Sequence, residues 1–223
     1  MKQLTSAQWR IDLKLIGWLP VMLGTLVVGG FLVFYNANHA EIIYLKRIIE
    51  VVIPLAFGLH AAFVLAPENE PAIELLLSYP KPITRLLMER ILSIGVLHGG
   101  VALVATLFIA ANWNIENTGL ALIRWLTASV FLGGLAVFTT QLTRQSAFGA
   151  LMTTLLWASS LYGGDALLER WPWAWPFHLY LQPQNSTSPH YFFNRILFVL
   201  AGLGLMFGAA WLLRNDERSL GSK

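Results

Sequence analysis

An all-α membrane protein with six transmembrane helices is the fold that the 223-residue chain predicts, and three features carry that expectation. Charged residues make up only 12% of the chain against 56% hydrophobic. A soluble domain carries roughly a quarter charged residues, so too little polarity is present here to cover a surface facing water. The apolar residues also come in blocks close to the roughly 20 residues that span a hydrocarbon core as helix. Finally, the basic residues divide unevenly between the stretches that join those blocks.

Taken in order, residues 1–15 place Leu4, Ala7, Ile11 and Leu15 on one helical stripe with Gln3, Arg10 and Asp12 off it. That is the pattern of an N-terminal helix lying in the membrane interface. The spans then read as 16–35, 48–65, 91–113, 120–142, 146–162 and 192–213, all within one transmembrane domain over 1–223. The first block is too long for a signal-peptide core and no small-residue cleavage pattern follows it, so it is expected to remain as a span. The fifth is the shortest and is closed by Gly163-Gly164-Asp165. Gly95-x-x-x-Gly99 in the third span and Gly204-x-x-x-Gly208 in the sixth have the spacing that lets helix backbones approach closely.

The segment 163–190, between spans five and six, is expected to be an extracellular re-entrant or short-helix element. A short helix at 165–169 leads into Trp171-Pro172-Trp173-Ala174-Trp175-Pro176. Tryptophan at this density marks the headgroup level of a bilayer. With an internal N-terminus, Lys2, Arg10, Lys14, Lys81, Arg85, Arg90, Arg144, Arg214, Arg218 and Lys223 lie inside, leaving Lys46, Arg47, Arg124, Arg170 and Arg195 outside. This asymmetry predicts a multi-pass protein of the cell membrane with both termini cytoplasmic.

Several chemistries are excluded by the residues themselves. With no cysteine, the chain has no disulfide, thiolate metal site or cysteine nucleophile. It has no His-Glu-x-x-His zinc motif, no Gly-x-Ser-x-Gly turn and no Gly-x-x-x-x-Gly-Lys phosphate loop. The net charge of +3 fits basic cytoplasmic loops, and no nucleic-acid partner is expected.

The joining stretch 67–85 reads as a short cytoplasmic helix followed by a stop. Pro71 suits the first helical turn, Glu68, Glu70 and Glu74 favour its N-terminal end, and Pro80 with Pro82 prevents continuation. Ile73, Leu76 and Leu77 fall on roughly one side. A two-turn helix is marginal in water by itself, so this one is expected to pack on something.

At these residues the chain resembles the permeases of the type-two ATP-binding-cassette exporter family. Their loop between spans two and three runs acidic, small pair, Glu, Leu-Leu, then proline and a basic residue. Glu70, Glu74, Leu75, Leu76, Leu77, Ser78, Pro80 and Arg85 match, whereas Pro71-Ala72 stands where the family often has Gly-Thr. The resemblance implies that the loop is a coupling helix seated in a groove of a separate ATPase subunit, with Glu70, Ile73, Glu74, Leu76 and Leu77 at the contact. It implies a homodimer or heterodimer of permeases among membrane lipids, no catalytic residue and no cofactor in this chain, and ATP with magnesium held by the partner ATPase.

His60 in span two and His98 in span three lie at similar depths, which makes them a candidate intramembrane polar site. Two histidines from neighbouring helices could hold a heme, as in a membrane subunit of an electron-transfer complex. A secondary transporter is a further alternative, since it places ionisable groups at mid-membrane. Glu50, four residues after Lys46 on one helix face, is expected to form an ion pair near the membrane surface.

Overall fold

The computed structural model describes residues 29, 42–63, 83–112, 117–181 and 189–221. The described segments are helical: α1 (Ile42–Phe63), α2 (Ile83–Asn112), α3 (Thr118–Thr143), α4 (Ser146–Tyr162), α5 (Gly164–Arg170), a 3₁₀ helix at Pro172–Phe177, and α6 (Pro189–Gly221). The expected interfacial helix 1–15 and the coupling helix, with Glu70, Ile73, Glu74, Leu76 and Leu77, lie outside the described residues. So does the first block apart from Gly29.

Among the described residues three helices, not all the expected spans, are long and apolar enough to cross a membrane: α2, α3 and α6. Two physical reasons separate the others. The first half of α1 carries Lys46, Arg47 and Glu50. The 17 residues of α4 reach about 26 Å at 1.5 Å per residue, short of a hydrocarbon core of about 30 Å.

Helix ends follow local chemistry as well as hydrophobicity. α2 starts at Ile83 rather than at residue 91, and in that added part Arg85 Nε donates to Glu89 Oε1 one turn on, at 3.0 Å. α3 begins where the Asn117 side chain accepts from the Leu120 amide at 3.2 Å, filling an otherwise unpaired first-turn donor. It ends on Arg144, whose left-handed backbone (φ 59°) turns the chain into α4 after two residues.

α3 is the hub, in contact with α1, α2, α4 and α6. Glu50 of α1 meets Arg124 near the start of α3, while the Ala62 carbonyl meets Thr140 near its end, so these two helices run parallel. α4 runs against both: its Gly149 packs under Thr140 and Ala136, and Trp157 Nε1 reaches the Val51 carbonyl at 2.9 Å. The bundle therefore has two distinct ends. One gathers Glu50, Arg124 and the segment 163–181; the other packs Ala61 and Ala62 of α1 against Leu86, Leu87 and Ile91 of α2 and Ala209 of α6.

Backbones come closest through glycines other than the two spaced pairs. A Cβ on Gly202 would stand 2.6 Å from the Val130 carbonyl oxygen, and one on Gly134 would collide with the main chain of Gly202. Gly204 has nothing within 4 Å, and Gly95 and Gly99 meet only aromatic side chains, Phe57 at 3.7 Å and Trp125 at 4.0 Å. Within this chain the spaced pairs lie on faces turned away from the backbone contacts.

Candidate functional site

Among the buried polar groups of the described residues, two clusters hold ionisable side chains drawn from different helices. The first is the expected histidine pair: His60 of α1 and His98 of α2 touch, Nδ1 to Nε2 at 3.2 Å, with their rings edge to face and centroids 5.5 Å apart. Both side chains are buried, and the Phe57 ring stands edge-on to His98 with centroids 6.0 Å apart. One ring nitrogen donates and the other accepts, so the contact holds a single shared proton.

This geometry does not fit axial ligation of a heme. Two axial ligands stand on opposite faces of a macrocycle with the iron between them. At hydrogen-bonding distance from one another these two nitrogens leave no room for a macrocycle. Among the described residues there is also no group of three His, Cys, Asp or Glu side chains that could hold a metal ion.

The second cluster lies at the other polar level, about 15 Å along α1 from His60 at 1.5 Å per residue. Glu50 is buried and accepts from Arg124 Nη1 at 2.9 Å, while Arg47 Nη1 stands 4.0 Å from its other oxygen. Within α1 Glu50 thus faces Arg47, and its shorter bond runs to Arg124 of another helix; the side chain of Lys46, its expected partner, lies outside the described residues. Arg195 of α6 is 4% exposed and donates from Nη1 to the Leu179 carbonyl and from Nη2 to the Leu181 carbonyl, each at 2.7 Å. Its guanidinium also lies 4.8 Å from the Tyr191 ring centre.

The segment after α5 is held to α6 by the same helix turn. Asn194 Nδ2 donates to the carbonyls of Trp175 and Pro176 at 2.9 and 3.1 Å, capturing the 3₁₀ helix. The tight approach of α5 rests on Gly164, where a Cβ would collide with the His178 ring. Trp175 packs on His190 and Phe193, with centroids 4.6 and 5.8 Å apart, whereas Trp171, Trp173 and Phe177 face outward. Tyr180 is buried beneath this segment, and burial pushes its phenol well above the ordinary value.

The sequence reading used Arg124 and Arg195 only as markers of sidedness, and it missed that they converge. The signal was present: both lie a few residues inside apolar blocks, and an ionisable residue at such a position costs free energy unless it is paired. Tyr180 and Asn194 gave no comparable signal, because uncharged polar residues near span ends are common.

Comparison with protein-family models, with curated proteins and with solved structures finds no match.

Proposed function

We propose that the chain is the membrane-spanning subunit of an ATP-binding-cassette exporter, with hydrolysis carried out by separate ATPase subunits. The six-span layout belongs to this reading, with the block 16–35, α1 and α4 joining the three apolar helices. The charges of α1 gather at one end, where Glu50 is neutralised by Arg124. α4 is shielded by packing against α1 and α3.

The observation that carries the reading is the stretch 67–85, with its acidic start, apolar Ile73, Leu76 and Leu77, and proline stop. Its attachment supports it. α1 finishes and α2 begins at the end of the bundle away from the Glu50 cluster, near Arg85, Arg90, Arg144 and Arg214. A basic end is the one expected to face the cytoplasm, where an ATPase would dock. Closure of the ATPase around nucleotide would push this helix and so displace α1 and α2 against α3. The outward apolar faces of α2 and α6 leave room for a second permease copy or a related one, and for lipid.

The test is co-purification with the ATPase. Burying one leucine contributes roughly 1.5–3 kcal/mol, and an unpaired aspartate in its place adds a desolvation penalty. Leu76→Asp is therefore expected to weaken the complex by at least about tenfold, with an unchanged monodisperse profile in detergent. An unchanged complex with unchanged substrate-stimulated hydrolysis would remove the support for an exporter.

A further inference from the structure

We propose that the cavity between α1, α3, α6 and the segment 178–181 binds a phosphate group through one of its anionic oxygens. The cavity is lined by Arg47, Glu50, Arg124, Tyr180, Leu181 and Arg195. This inference does not depend on the exporter reading.

Charge is the first argument. Among the described residues that line the cavity, three guanidinium groups face one carboxylate, and that carboxylate is already shared between Arg124 and Arg47. Arg195, nearly fully buried, donates to the neutral carbonyls of Leu179 and Leu181 and lies against Tyr191, while Glu50 is the carboxylate that lines the same cavity. A guanidinium cannot shed its proton in a protein, and a buried cation without a counter-charge is costly. The site therefore favours an anion and repels a metal cation.

Unused hydrogen-bonding capacity is the second argument. The Nε groups of Arg124 and Arg195 and the hydroxyl of Tyr180 have no hydrogen-bond partner among the described residues. All three residues line the cavity, and Arg195 and Tyr180 are 4% and 5% exposed. Two of these groups are obligate donors and the third can donate, so they complement a ligand rich in acceptors. Guanidinium groups pair with phosphate oxygens through charge-assisted bonds that are stronger than those to neutral acceptors.

Size and access set the mode of binding. The cavity has room for about one water-sized group, so a single oxygen enters while the rest of the phosphate stays outside. Of the lining side chains Arg47 is 33% and Arg124 24% exposed, so the site is in reach of the surface. Outward-facing Trp171 and Trp173 belong to the same end of the bundle, at the level where lipid headgroups lie. The same chemistry could come from a lipid headgroup or from free phosphate.

The experiment measures melting of the full chain in neutral detergent. The probes are short-chain phosphatidylglycerol against diacylglycerol of the same chain length, and sodium phosphate against sodium chloride at equal ionic strength. A phosphate-bearing probe is expected to raise the melting temperature by about 4 °C or more over its control. A response to phosphatidylglycerol alone assigns the oxygen to a lipid, and a response to both assigns it to any phosphate; either supports the site. Arg47→Gln and Tyr180→Phe remove one cavity group each with little disturbance to packing, and each is expected to halve the shift at least. Arg214→Gln, at the opposite end, is expected to keep it whole. The proposal is overturned if neither probe exceeds its control, if both cavity variants keep the full shift, or if Arg214→Gln loses as much as they do.

Discussion

Helices α3 and α6 are both strongly apolar and both long enough to cross a membrane, yet they occupy opposite environments. In α3, 50% of the apolar stretch is buried within the chain, against 17% in α6. The buried stripe of α6 is Tyr191, Asn194, Arg195, Phe198, Gly202 and Ala209, while Phe193, Ile196, Leu200, Leu203, Phe207 and Trp211 face outward. The stripe turned toward α3 thus holds the helix's buried glycine and alanine and its two strongest hydrogen-bonding side chains, and the largest aliphatic groups point away. This reverses the soluble-protein rule. Lipid is as apolar as leucine, so large side chains gain little from moving inward, whereas small residues permit close backbones and polar ones need partners.

The sharpest way to break this comparison is at the backbone contact between the two helices. Gly134→Val would drive a branched side chain into the main chain of Gly202. Because the atoms that must yield are backbone, the loss is expected to exceed about 3 kcal/mol, read as the unfolding midpoint in denaturing detergent. Retention of the wild-type midpoint would mean that the helices are not in contact there.

A matched pair of truncations comes next. Leu132 of α3 is fully buried and Leu200 of α6 is 64% exposed. Leu132→Ala is expected to cost about 2 kcal/mol, the low end of the range for such changes, because the unfolded helix in detergent still shelters its leucine. Leu200→Ala is expected to stay within about 0.5 kcal/mol in the monomer. A larger loss at Leu200 that depends on protein concentration would show that the outward stripe of α6 meets another subunit rather than lipid.

The smallest expected effect concerns the polar part of the α6 stripe. Asn194→Ala removes the donor that holds the carbonyls of Trp175 and Pro176, at an expected cost of about 1 kcal/mol. Limited proteolysis within 171–181 is expected to rise with it. If cleavage does not change, the 3₁₀ helix is fixed by its aromatic packing on Phe193 and His190 instead.

Much of this arrangement was legible in the residues. The blocks 120–142 and 146–162 fall within or on α3 and α4, and the stretch 165–169 lies inside α5. The depth of His60 and His98 was readable by counting along each helix, since rise per residue is fixed. Their contact was not, because depth says nothing about rotation around the helix axis.

The sequence by itself determined that the chain is helical and apolar, and where most helices stop, because those properties follow from composition, prolines and caps acting over a few residues. Only the tertiary structure decided which glycines touch, which stripe of α6 turns inward, and that Glu50, Arg124, Tyr180 and Arg195 surround one cavity. A helix apolar on all sides carries no periodic signal for its buried face. Its facing is set instead by small and polar residues meeting partners far away in the chain, as Arg195 meets Leu179 and Leu181 and Glu50 meets Arg124 across 74 positions.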